Sequence, residues 1–264
     1  MNFIQSPEGF VLLAFLAALA ISGIAFKLGM LSVSGMIAAA LTGGVIFAFG
    51  GISAAVLLMT FFVSGSLLGR LNRSKGERRD WKQVLANGFV PALAVIVIAF
   101  RHDLREEITL FFLGALATAM ADTWATEIGT RFGKKFYNIF TFRPTHRGPS
   151  GAVSVIGLCA SLCGALVIAL LSLIRFLDTD PLCGLVLIKV IPVVTIAGTA
   201  GALLDSMIGA TIQAKYTLPD ESISEIKAEG AVLRSGIRFI GNNATNFVAT
   251  LWGGVIAIWL GFTL

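Results

Sequence analysis

Residues 108–129 read ITLFFLGALATAMADTWATEIG. Residues 108–121 form an apolar run of 14, whereas a helix that crosses a bilayer needs about 20 residues. Completing the span therefore carries Asp122, and then Glu127, to the membrane face. Ionisable groups at membrane depth are costly and are by default functional. These carboxylates set both the fold class and the place to look for chemistry.

The rest of the chain agrees with a membrane setting. Of its 264 residues 56% are hydrophobic and only 13% charged, and the mean hydropathy is +0.87, values that exclude a soluble enzyme. Apolar runs at 9–26, 31–49, 52–69, 84–100, 108–127, 152–174, 185–212 and 239–262 predict an all-α polytopic transmembrane bundle of about eight helices. Residues 1–264 are read as one integral membrane domain, with helices one to four in 1–100 and helices five to eight in 101–264. The first run follows a stretch without Lys or Arg, so it is read as a span rather than a cleaved leader.

Orientation comes from the cations. Lys27, the 70–82 loop, the 131–147 loop and the 215–238 loop together hold 16 of the 20 Lys and Arg, leaving Arg101, Arg105, Arg175 and Lys189 on the opposite face. The positive-inside rule puts the sixteen in the cytoplasm and both termini outside. The same loops account for the net charge of +5, so no nucleic-acid partner is expected. Cys159, Cys163 and Cys183 lack zinc-like spacing and are read as structural thiols.

Helices five to eight carry nearly all the unusual polar residues. Within them, residues 114–123 (GALATAMADT) are matched by residues 197–206 (AGTAGALLDS). Each is a small-residue stretch that ends in Asp and a hydroxyl residue. Helices five and seven run the same way through the membrane, so this pattern predicts a parallel repeat in the second half that brings Asp122 and Asp205 together.

Two carboxylates converging from different helices suit Mg2+, which binds through one or two carboxylates plus substrate phosphates. Asp122, Ala125, Thr126 and Gly129 share one helix face. Glu127 lies about 140° away on an ideal helix; it joins the site if the helix unwinds near Thr126, and otherwise is an interfacial carboxylate. After helix five, Arg131, Lys134, Lys135 and Arg147 would neutralise a triphosphate, while Gly148, Ser150 and Gly151, placed at the start of helix six, would offer N–H groups and a hydroxyl. Gln213, Lys215 and Tyr216 follow the second Asp, and Asn242, Asn243 and Asn246 open helix eight. Arg79, Gln83 and Asn87 form a weaker set of the same character.

At these residues the chain resembles an integral membrane family whose plant member is phytyl-phosphate kinase of tocopherol synthesis. The resemblance covers nearly the whole chain and rests on residues 79–88 (RDWKQVLANG), 121–129 (ADTWATEIG), 147–154 (RGPSGAVS), 204–213 (LDSMIGATIQ) and 241–247 (GNNATNF). The middle is also similar to CTP-dependent phytol and dolichol kinases: Asp122, Ala125 and Gly129 end a helix, Phe132-Gly133-Lys134 forms a basic loop, and Ser150-Gly151 follows. Where the family's last motif often carries Asn-Asp, this chain has Asn242-Asn243. The resemblance implies a kinase that transfers phosphate from a nucleoside triphosphate, CTP by preference, to an isoprenoid monophosphate such as phytyl phosphate. It further implies catalytic Asp122, Asp205 and Glu127, Mg2+ on the two Asp residues, and a site facing the cytoplasm. Two alternatives stay open: a secondary transporter with an Asp-based ion site, and a CTP-dependent lipid cytidylyltransferase. Membrane lipids are partners in any of these readings, and self-association is left open.

Overall fold

The computed structural model describes residues 7–70, 72, 78–173 and 184–263. Its helices are α1 (Pro7–Lys27), α2 (Val33–Arg70), α3 (Trp81–Phe100), α4 (Arg105–Phe132), α5 (Val155–Leu171), α6 (Gly184–Thr211) and α7 (Asn242–Thr263). Six contain stretches long and apolar enough to cross a membrane, and α5 is a shorter apolar helix. Arg73, Lys75, Arg175 and Cys183 lie outside the described residues.

The expected second and third spans are the two legs of α2. Gly51 interrupts the helix with φ 73° and ψ −172°, a conformation that essentially only glycine adopts. A Cβ at Gly43 would lie 3.9 Å from the Leu58 side chain, although residues so far apart in a straight helix are separated by roughly 20 Å. The legs therefore fold back on each other. Arg70 at the end of the second leg donates to the Leu28 carbonyl at the end of α1. The fifth to eighth expected helices are thus α4 to α7.

At the centre stands α4, whose residues from Phe112 to Ala121 are all buried, as expected for a helix that is apolar on every side. Helix α6 runs parallel to it. A Cβ at Gly198 would meet Ala117 Cβ at 2.7 Å, and one at Gly201 would meet Thr118 Cγ2 at 2.6 Å. The small-residue stretches noted in the sequence are therefore the contact surface. Helix α5 packs antiparallel on α4, with Gly157 against Gly129 and Gly164 against Ala121.

Two small antiparallel sheets join these helices. Strands β1 (Phe136–Asn138), β2 (Pro144–Thr145) and β3 (Ala152–Val153), ordered β2-β1-β3, link α4 to α5. Strands β4 (Lys215–Thr217), β5 (Ile223–Ser224) and β6 (Val232–Ser235), ordered β5-β4-β6, link α6 to α7. Helix, three-stranded sheet with its first strand central, helix: the second half of the molecule repeats this unit twice in parallel.

Several boundaries differ from expectation. Helix α5 begins at Val155 rather than 152, because residues 152–153 pair in β3 and the Ser154 hydroxyl accepts the Gly157 N–H at 3.0 Å as the cap. Helix α3 starts three residues early at Trp81 because Asp80 and Gln83 form a capping box. Helix α4 continues to Phe132, beyond Glu127, and α7 begins at Asn242, leaving Phe239 outside it and 88% exposed. Cys159 and Cys163 are free thiols on the exposed face of α5.

The described cations of the majority set share one end of the bundle. There the Ser32 N–H donates to the Arg79 carbonyl at 2.9 Å, and the Ala214 N–H, just after α6, to the Ile240 carbonyl just before α7 at 2.7 Å.

Candidate functional site

Close approach of α4 and α6 decides the site. Where the glycine and alanine contact ends, the side chains of Asp122 and Asp205 come within hydrogen-bond reach of each other at the basic end. Asp205 is only 8% exposed. The first turns of α7 close over it. Thr245 lies within hydrogen-bond reach of Asp205 while its hydroxyl donates to the Asn242 carbonyl at 2.8 Å. With the amide oriented to satisfy both its partners, Asn246 donates to Asp205 Oδ1 at 3.2 Å and to the Asn242 carbonyl at 2.9 Å.

Two carboxylates in contact repel when both are ionised, and low polarity around them strengthens the repulsion; a divalent cation between them offsets it. Among the described residues no group of three or more His, Cys, Asp or Glu forms a metal cage. The donor set is therefore two carboxylates beside an amide, which fits a hard ion that completes its shell with water and phosphate oxygens. It does not fit zinc.

Glu127 stands on the continuing helix, away from the Asp pair's contact. Its Oε2 and its backbone carbonyl both accept the Asn72 amide, at 2.7 Å each. It remains close enough to Asp122 to act on it electrostatically. One turn earlier, Trp124 Nε1 donates to Ser64 Oγ at 3.1 Å, so the second leg of α2 is pinned along this end of α4.

Ser150 and Gly151 do not sit at a helix start. They form the turn before β3, with Gly151 at φ +88° and so close to α6 that a Cβ would lie 2.8 Å from Ala210 Cα. The Ser150 N–H donates to Glu225 Oε1 at 2.6 Å and Gln213 Nε2 donates to Glu225 Oε2 at 2.8 Å. Lys215 Nζ donates to the Ser150 carbonyl at 3.1 Å. Gln213 is 1% exposed and its Oε1 has no hydrogen-bond partner among the described residues. The N–H expected for a phosphate thus holds a carboxylate of the chain, which also lies within electrostatic reach of Asp205.

Arg131, Lys134, Lys135 and Arg147 are exposed around this end. Among the described residues the one ion pair is Arg101 with Asp103, 2.7 Å apart at the opposite end, so none of these four cations is paired with a carboxylate among the described residues. Asn242 is exposed and Asn243 half-buried. Tyr216 is buried in β4. Arg79, Gln83 and Asn87 line a cavity among α1, α2 and α3. Sequence reasoning missed Glu225, Thr245 and Asn72. Thr245 lay within the singled-out Asn stretch, one helical position from Asn246, and that spacing was its available signal.

Comparison with known proteins agrees with this picture of a membrane bundle. The chain is 29% identical to Protein PGR of Arabidopsis thaliana, over 93% of this chain and 94% of that protein. It is 29% identical to an uncharacterised membrane protein of Methanocaldococcus jannaschii, over 87% and 85% respectively. With Protein VTE6, chloroplastic, of Arabidopsis thaliana it shares 25% identity over 86% of this chain and 64% of that one. No solved structure matches. Residues 16–254 match the family model described as Integral membrane protein DUF92, and the chain belongs to that family.

Proposed function

We propose that the protein is a membrane-bound phosphotransferase that moves the terminal phosphoryl group of a nucleoside triphosphate, CTP by preference, to an isoprenoid monophosphate such as phytyl phosphate. The observation that carries this reading is the contact of Asp122 with Asp205 at the end of the bundle that also holds the exposed Arg131, Lys134 and Arg147. The resemblance to phytyl-phosphate kinase and to CTP-dependent lipid kinases supplies the classes of acceptor and donor.

Asp122 and Asp205 would hold Mg2+, which supplies charge neutralisation to the donor phosphates. Asn246 orients the Asp205 carboxylate from α7. The basic residues on the loops steer and hold the triphosphate. An oxygen of the acceptor's phosphate attacks the terminal phosphorus, the bond from that phosphorus to the bridging oxygen breaks, and the nucleoside diphosphate leaves. An acceptor already ionised at neutral pH needs no strong general base, so the reading requires no histidine in the site.

Product analysis tests it. Purified protein given CTP, Mg2+ and phytyl phosphate should yield CDP and phytyl diphosphate. Pyrophosphate with a CDP-linked lipid would identify a cytidylyltransferase instead. Ion flux in liposomes without isoprenoid, together with no nucleotide turnover, would favour the transporter.

A further inference from the structure

Helices α1, α2 and α3 enclose a cavity that phosphoryl transfer itself leaves unused. It contains about 830 Å3 of empty space, its mouth included. Ala39, Gly43 and Phe47 line it from the first leg of α2, and Ala55, Leu58 and Met59 from the second. The lining extends from Leu31, just before α2, to Phe47, which lies roughly 21 Å along the helix from its start at the helical rise per residue.

Polar groups in its wall are unevenly placed. The Ser22 hydroxyl is bonded to the Leu19 carbonyl at 3.1 Å, and Thr42 turns its methyl toward Gly88. At the basic end stand Arg79, Gln83 and Asn87. Gln83 Oε1 accepts the Asp80 N–H, and Asn87 Nδ2 donates to the Gln83 carbonyl at 3.3 Å. Arg79 brings the charge. Gly65 lacks the Cβ that would separate it from α4: the point such a Cβ would occupy is 3.2 Å from Arg79 Nη2 and 2.9 Å from Thr123 Cγ2. The guanidinium therefore reaches the turn of α4 that carries Asp122.

Apolar wall that faces empty space forfeits dispersion contacts. The cavity's apolar walls do not hold ordered water. A hydrocarbon chain with an anionic head matches the apolar wall of the slot and its cationic end. We infer that this cavity seats the hydrocarbon tail of the acceptor lipid, with the lipid's phosphate at Arg79 beside the Asp122 turn. The identity of the head group rests on the phosphotransferase reading, whereas the tail site rests on the cavity alone.

Binding is measured first without nucleotide, by native mass spectrometry of the detergent-solubilised protein with a C20 prenyl monophosphate and, for comparison, a C5 prenyl monophosphate. Filling the slot with Ala39→Phe or Ala55→Phe should lower affinity for the C20 compound at least tenfold relative to the C5 compound. Arg79→Gln should weaken binding of the C20 phosphate and leave that of the matching C20 alcohol unchanged. Leu58→Trp replaces either filling variant that fails to insert, as judged by its melting curve. Unchanged C20 affinity in two folded filling variants would overturn the tail site. Chain-length-dependent binding lost on filling, combined with no diphosphate product from CTP and Mg2+, would leave the tail site standing and remove the phosphotransferase reading, so the two failures are distinguishable.

Discussion

Asp205 sits in a shell made by three helices, with Asp122 from α4 and Thr245 and Asn246 from α7 around it. Asp122→Asn or Asp205→Asn keeps the shape and removes the charge that a divalent cation needs. Each variant should lose about 1,000-fold or more of Mg2+-dependent turnover, the equivalent of about 4 kcal/mol at the transition state. The melting temperature should hold or rise, because repulsion between the pair is relieved. Nucleoside diphosphate release checks this, and near-normal turnover would make that Asp structural. Glu225 makes a different demand: Glu225→Ala leaves the Ser150 N–H and the Gln213 amide without their acceptor, so a thermal melt should show destabilisation of about 1–3 kcal/mol. These two sites also differ in legibility. Asp122 and Asp205 stand out in the sequence because each interrupts an apolar run after the same small-residue pattern. Glu225 lies in a polar loop without periodicity, and its partner Ser150 is 75 residues away, a pairing that only the folded chain creates.

At the scale of elements, the helices were readable because hydrocarbon thickness dictates the length of their apolar runs. The two sheets were not, since strands of two to four residues carry too few positions for a period of two to show. Helix contacts rest on glycine in a way the pattern of small residues anticipates. Thr118 is fully buried, donates to the Gly114 carbonyl at 2.9 Å, and is flanked by Gly201 on α6 and Gly253 on α7. A Cβ at Gly201 would lie 2.6 Å from Thr118 Cγ2, and one at Gly253 would lie 2.9 Å from Thr118 Cβ. Backbone on either side leaves Thr118 no room to retreat. Gly201→Val should therefore cost about 1–3 kcal/mol or more through overpacking, and it should reduce turnover as well, because Asp205 is one turn further along α6. Denaturation in mixed detergent gives the first quantity and CDP release the second. A fully stable, fully active variant would show that the α4 and α6 contact does not set the Asp pair.

Across the whole molecule, the parallel repeat explains why two carboxylates from distant sequence positions reach the same depth: both units enter from the same end and finish their first helix at the other. In a cysteine-free background, a Cys placed at Thr141 and one placed at Asp103 should label from opposite sides of the membrane, with position 141 on the cytoplasmic side, as the distribution of cations requires. Labelling of both from one side would break the topology on which the site depends. A nucleotide test then engages the complete assembly, since the Asp pair spans both repeats and the exposed Arg147 stands on the loop that joins α4 to α5. If the bundle is the proposed phosphotransferase, CTP with Mg2+ should bind the folded state alone and raise the melting temperature by mass action, with stabilisation of about 2.7 kcal/mol at a ligand concentration a hundred times the dissociation constant. Arg147→Ala should reduce that shift by weakening nucleotide binding, while its melting temperature without ligand stays close to that of the original protein because the side chain has no ion-pair partner among the described residues. An equal shift in both proteins would take Arg147 out of the nucleotide site. The absence of any shift with millimolar CTP, ATP, GTP or UTP would remove nucleotide chemistry from the bundle altogether.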